Sequence, residues 1–137
     1  MISYRTGNDL SLDSLIGLYR ACSLGQRRPI DDRQRMTAML ANANLVVTAW
    51  DASQLVGIAR SMSDFAFATY LCDLAVRESH QRQGIGKELI RRTQSAAPQA
   101  KLILLAAPAA NDYYPHIGFA HEPKAWILDC DRNIADD

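Results

Sequence analysis

Charge of one sign is missing from this 137-residue sequence: 15 Lys and Arg offset 15 Asp and Glu, for a formal net charge of zero. That balance removes the general electrostatic case for a nucleic-acid or membrane-surface partner, and leaves Arg82, Lys87, Arg91 and Arg92 as the local basic cluster of note. Cysteine is scarce and odd in number, and Cys22, Cys72 and Cys130 show neither Cys-x-x-Cys nor Cys/His ligand spacing. A disulfide framework and a zinc site are therefore disfavoured, and the expectation is buried free thiols and no metal. No apolar run reaches the length of a bilayer span, and the N-terminus lacks the apolar core of a secretory signal. The expectation is a soluble, cytoplasmic protein with neither nucleic acid nor membrane among its partners. Repeats, low-complexity tracts and linkers are also lacking, so residues 1–137, at 48% hydrophobic composition, read as a single domain with one core.

What is present centres on Thr69–Ala97. Tyr70 to Val76 is β-branched, aromatic and apolar over the length of a strand. From Ile85 the period changes: Ile85, Leu89, Ile90, Thr93 and Ala97 make one helical stripe, with Lys87, Glu88, Arg91, Arg92 and Gln94 on the other face. Gly84 and Gly86 stand at the junction. A helix start leaves backbone N–H groups unpartnered, and glycines let an anion approach them without a Cβ in the way. With the helix dipole, that describes a phosphate site. Two common dinucleotide motifs fail here, because Leu89 stands where a Rossmann fingerprint needs its third glycine and Glu88 where a Walker A motif needs Ser or Thr.

Gln81-Arg82-Gln83-Gly84-Ile85-Gly86 instead resembles the Gln/Arg-x-x-Gly-x-Gly/Ala signature of the GCN5-related N-acetyltransferase (GNAT) family, and it follows a family-like strand ending Leu74-Ala75-Val76. Downstream, Tyr113-Tyr114-Pro115-His116-Ile117-Gly118-Phe119 resembles that family's aromatic-Tyr-x-x-x-Gly-Phe segment. The resemblance implies an α/β (α+β) fold: a mixed, mostly antiparallel sheet of about six or seven strands flanked by about four helices, with one parallel pair splayed to admit the cofactor. It implies an enzyme that transfers the acetyl group of acetyl-CoA to a primary amine by direct attack; a non-catalytic CoA-binding module or sensor of the same fold is the rival.

Carried onto this sequence, the resemblance assigns the main chain of Leu74, Ala75 and Val76 to the acetyl carbonyl and the pantetheine arm. Gln81, Arg82, Gln83, Gly84, Ile85, Gly86 and Lys87 are assigned to the pyrophosphate, and donor and acceptor meet at the wider end of the gap. Tyr114 becomes the proton donor to the departing thiolate. An asparagine common in the family seven residues before that tyrosine is replaced by Ala107. Asp73, a carboxylate in an otherwise apolar strand, is the first candidate for a base, with Glu122 and His121 as alternatives. By alternation Asp73 shares a face with Leu71 and Ala75.

The rest of the chain fits around this unit. Ile2 to Arg5 is a strand, and Ser11 caps a helix with Leu12, Leu15, Ile16 and Tyr19 on one face. A second helix starts at Asp31 or Asp32; the family resemblance implies that the loop between the two helices borders the acceptor cleft, which makes Arg27 and Arg28 candidates for acceptor selection. Leu45–Trp50 and Leu55–Met62 form a hairpin, and Phe65–Val76 the next strand. Lys101 to Ala106 reads as a strand buried on both faces and parallel to the strand before the central helix. Ala109 to Ile117 is a short helix with Gly118 at C′. Phe119–Glu122 and Ala125–Asp129 close the sheet as a final hairpin whose open edge a second copy would cover in a homodimer. Trp50, Phe65, Phe67, Tyr70 and Trp126 are expected mostly in the core, and His80 and His116 at the surface.

Overall fold

The computed structural model describes residues 1–136. Contacts divide the chain into two compact units, Met1–Leu105 and the segment from Ala106 onward. The first unit carries a five-stranded sheet, β1 (Ile2–Thr6), β2 (Leu45–Asp51), β3 (Gln54–Ser63), β4 (Ala68–Val76) and β5 (Lys101–Leu104), in sequential order. The first four strands pair antiparallel, and β4 and β5 pair parallel around the intervening helix. A crossover helix is what a parallel pair requires.

Helices α1 (Leu12–Arg20) and α2 (Arg33–Ala41) cover one face of this sheet, where Leu15, Leu18, Tyr19, Met36 and Leu40 meet Val46, Ile58 and Ala75. Helix α3 (Ile85–Ala96) covers the other, with Ile85 and Leu89 against the backbone of Gly57. Local chemistry sets the helix starts. Ser11 Oγ accepts the Ser14 N–H at 3.0 Å, and Asp32 Oδ1 accepts the Arg35 N–H at 3.0 Å.

Several elements end elsewhere than expected. β4 begins at Ala68 rather than Phe65, because the Asp64 carboxylate accepts the N–H groups of Ala66, Phe67 and Ala68 and holds that stretch as a turn. β5 stops at Leu104 and is not buried on both faces; Ile103 is exposed, as the last strand of a sheet allows. No strand forms after β5 among the described residues, so the sheet has five strands and the closing hairpin is absent. Ala125 N–H does bond the Glu122 carbonyl in a turn there, but Pro123 offers no donor, and Trp126, Ile127 and Leu128 lie exposed in consecutive rather than alternating positions. Of the five aromatics expected mostly inside, only Trp50 is buried; Phe65, Phe67, Tyr70 and Trp126 are exposed.

The second unit holds a one-turn 3-10 helix over Pro108–Ala110 and helix α4 (Tyr113–His116), in place of one continuous helix. Gly118 follows at φ 103°, the left-handed angle expected beyond a helix end. Every buried apolar residue lies between Leu15 and Ala100, in the first unit.

Candidate functional site

The β4–β5 ladder runs from Ala68 opposite Lys101 to Leu71 opposite Leu104 and ends there, while β4 continues to Val76. Five residues of β4 thus lack a partner on that side. The Arg77 N–H donates to the Val56 carbonyl at 2.8 Å, so main-chain groups at Arg77, Ala75 and Asp73 face β3, and those of Leu74 and Val76 face the open side. This places Leu74 and Val76 where a bound acyl arm could pair with them. Ala75 is not brought to the gap: its backbone faces β3 and its side chain is buried against the α1 layer.

A one-turn 3-10 helix over Glu78–His80 leads from β4 into the glycine turn. Gln81 Nε2 donates to the Val76 carbonyl at 2.9 Å, tying the turn to the strand end. His80, expected at the surface, is mostly covered and bonds Asp51 at 2.9 Å. Gly84 is the N-cap of α3 at φ 83°, so glycine is favoured by angle, not by space. A Cβ on Gly86 would meet only Val76 Cγ2 at 3.7 Å. The opening amides at Ile85, Gly86 and Lys87 receive no capping side chain. Arg82, Gln83 and Lys87 are exposed around them, whereas Ile85 is buried as a whole residue. The nearby acid is neutralised, since Glu88 pairs with Arg92 and Arg91, whose hydrogen bonds hold its carboxyl below the usual range. Uncapped amides, a helix dipole and the exposed cations Arg82 and Lys87 fit a pyrophosphate.

On the opposite face of β4, Asp73 is buried and shares that face with Ala75 as alternation predicts, but not with Leu71, which pairs with Ser61 across a register shift and so lies on the other face. Its Oδ1 accepts Arg28 Nε at 2.6 Å, and its Oδ2 accepts Arg60 Nε at 2.7 Å and the Tyr19 hydroxyl at 2.6 Å. Burial pushes the Asp73 carboxyl up, but Arg60, Tyr19 and Arg28 outweigh it and leave the group below the ordinary carboxylate range. Burial beside that carboxylate pushes the Tyr19 hydroxyl far up, so it stays a donor. The base expected at Asp73 does not suit these surroundings: both oxygens are occupied, and the group is a weaker base than a free carboxylate. Arg28 is held in this cluster rather than free to select an acceptor, whereas Arg27 is exposed.

The register of β3 with β4 shifts here. Arg60 faces Asp73 and Ser61 faces Leu71, so Cys72 is the extra residue of a bulge. Its carbonyl accepts Arg28 Nη2 at 3.0 Å. The sequence marks Tyr19 only as part of an apolar helix face and does not single out Arg60; a lone arginine in the apolar strand Leu55–Met62, beside a lone aspartate in the next strand, is the available signal.

In the second unit, the Tyr114 ring meets Tyr113 and Phe119 edge-on, each at 5.4 Å between centroids. The Tyr114 carbonyl accepts the Phe119 N–H at 3.1 Å, which fixes the aromatic-Tyr-x-x-x-Gly-Phe segment as one local unit. His121 and Glu122 are exposed. The thiols are free, with Cys22 and Cys72 half-buried and Cys130 exposed rather than buried. Among the described residues no three His, Cys, Asp or Glu side chains cluster as metal ligands, and no helix is long and apolar enough to cross a membrane.

Residues 27–125 match the family model described as an acetyltransferase (GNAT) domain. The chain belongs to the GNAT family. A Glycine max protein named a probable acetyltransferase is 28% identical over 90% of this chain, and the chain spans 53% of that protein's length. The GNAT fold recurs in a Staphylococcus aureus protein titled a probable acetyltransferase, with TM-score 0.79, 21% identity and coverage of 94% of this chain and 98% of that one. An aminoglycoside N-acetyltransferase solved in complex with CoA superposes with TM-score 0.71 at 16% identity, covering 94% of each chain.

Proposed function

We propose that this GNAT chain transfers the acetyl group of acetyl-CoA to a primary amine on a small molecule, peptide or protein. The observation that carries the reading is the unpaired run of β4 beyond Leu71, which leads directly into the uncapped amides of Gly84–Lys87. A pyrophosphate on those amides directs the pantetheine arm back along β4. Cys72 to Val76 spans about 13 Å, at about 3.3 Å per residue. The gap closes at Leu71 and Leu104, so the thioester comes to rest towards its narrow end, near Cys72–Leu74, and not at its wider end.

Acetyl-CoA supplies the activated acyl group. The Leu74 N–H, facing the open side, stabilises the oxyanion that forms as the amine attacks. Tyr114 hands a proton to the departing thiolate, a role carried from the family segment. With Asp73 engaged, the amine loses its proton to solvent, or to His121 or Glu122. In the first case kcat/KM rises with pH and levels off only above the acceptor ammonium's own pKa, about 10.4 for a lysine-like amine.

The test is calorimetric titration of the protein with acetyl-CoA, followed by assay of CoA release across a panel of amines. Binding with turnover on at least one amine supports the reading; binding with neither turnover nor slow hydrolysis would identify a CoA sensor. Tyr114→Phe is expected to lower kcat about tenfold or more while leaving acetyl-CoA affinity near wild type. An unchanged rate would remove the acid role.

A further inference from the structure

We infer that Arg28 is a positioning residue for acyl transfer: it clamps the β4 bulge at Cys72–Asp73 and thereby fixes the main chain that meets the acyl oxygen. The inference rests on the proposed acetyl-CoA reading. A bulge lacks one ladder interaction, so its peptide planes need another restraint. Arg28 supplies it from a single guanidinium, donating through Nη2 to the Cys72 carbonyl at 3.0 Å and through Nε to Asp73 Oδ1 at 2.6 Å. The third nitrogen, Nη1, donates to the Arg27 carbonyl at 2.7 Å and ties the clamp to its own loop. All three nitrogens act within the protein, so a direct grip on the acceptor is not what the side chain is arranged for.

Arg60 provides the internal contrast. It bonds the same carboxylate at 2.7 Å, yet its other bond is to the Met39 carbonyl at 3.1 Å at the end of α2. It anchors Asp73 to the helical layer and leaves the bulge backbone alone. The Leu74 N–H follows the clamped peptide by two residues and faces the open side, so rotation of the bulge would swing that donor away from a carbonyl held in the gap. Oxyanion donors are effective only when aimed in advance. Arg28 lies between α1 and α2 in sequence, so the loop expected to border the acceptor is mechanically part of the acyl site.

The experiment compares Arg28→Met and Arg60→Met in the full chain. It reads thermal midpoint, acetyl-CoA affinity by calorimetry, the carbonyl stretch of bound isotope-labelled acetyl-CoA by difference infrared spectroscopy, and CoA release by hydrolysis and with the amine panel. Arg28→Met should bind within about threefold of wild type, move the carbonyl stretch towards that of the free thioester, and lower turnover about tenfold or more. Arg28→Lys keeps the charge without the fork and should behave alike; it also carries the test if the methionine variant does not fold. Arg60→Met should lower the midpoint and keep the wild-type carbonyl frequency. A wild-type frequency and rate in both Arg28 variants would overturn the clamp alone. Equal spectroscopic changes at Arg28 and Arg60 would overturn it too. Failure of the wild-type protein to bind acetyl-CoA would overturn the functional reading and the clamp with it.

Discussion

At Asp73 both carboxylate oxygens are bonded inside the protein and the side chain is buried, whereas at Gly84–Lys87 the helix amides have no capping side chain and Arg82, Gln83 and Lys87 face solvent. Both features are polar, and both flank the end of β4. The carboxylate has used its hydrogen-bonding capacity on its own fold; the turn has kept its capacity for something else. A conspicuous charged residue in an apolar strand therefore marks a scaffold here, and a run of inconspicuous backbone carries the proposed binding site.

The comparison can be broken most forcefully at the buried end. Asp73→Ala leaves Arg28 and Arg60 without their counter-ion, and a loss of about 3–5 kcal/mol in unfolding free energy is expected in urea titration. A drop below about 1 kcal/mol would mean that Asp73 is not a structural knot. Acid probes the same group without mutation. Its folded carboxyl is depressed, so the stability it contributes is complete above the ordinary carboxylate value of about 3.9 and is lost as pH falls below that value towards the folded one. Denaturation midpoints followed from pH 6 to about pH 2 should fall further in the wild type than in Asp73→Asn, which keeps only the smaller acid losses of the other depressed carboxyls, Asp51, Asp64 and Glu88.

At the exposed end, Gly84→Val forces a β-branched residue to φ 83°, which costs about 1–2 kcal/mol of folding free energy. Acetyl-CoA affinity should fall about tenfold or more, read by calorimetry on the folded protein. Gly86→Ala separates the two effects. The new methyl meets only Val76 Cγ2 at an ordinary distance, so the thermal midpoint should hold or rise, by up to about 1 kcal/mol of helix propensity. Acetyl-CoA should still bind this variant, as the Gly/Ala alternative of the signature allows; a loss of affinity of about tenfold or more would show that the anion needs a bare backbone at position 86 as well as at Gly84. The smallest effect belongs to Ser61, whose buried Oγ has no hydrogen-bond partner beside the bulge. Ser61→Ala should be neutral or stabilising by about 1 kcal/mol in the same urea titration.

The elements legible in the sequence were those specified by neighbours in the chain. Ser11 and Asp32 announce helices because a cap acts three residues away, and the change of period at Gly84 announces a turn for the same reason. The family motif lies wholly within such a local unit. Alternation places Asp73 with Ala75 but fails for Leu71 across the Cys72 bulge, and the partners of Asp73 are not legible at all: Tyr19 and Arg28 stand 54 and 45 positions away, and no local pattern encodes that pairing. The closing hairpin failed for a related reason. Phe119–Asp129 has the composition of strands, yet a strand exists only where a ladder partner is supplied, and composition does not supply one.

Arg82 stands at φ 64°, a backbone angle glycine adopts freely and a residue with a side chain adopts at a cost of about 1 kcal/mol. A glycine there would relax the corner and remove its guanidinium. On the proposed reading the chain gives up a little durability to keep a cation beside the diphosphate cradle, so a glycine variant should outlast the native protein on heating while gripping its anion less firmly.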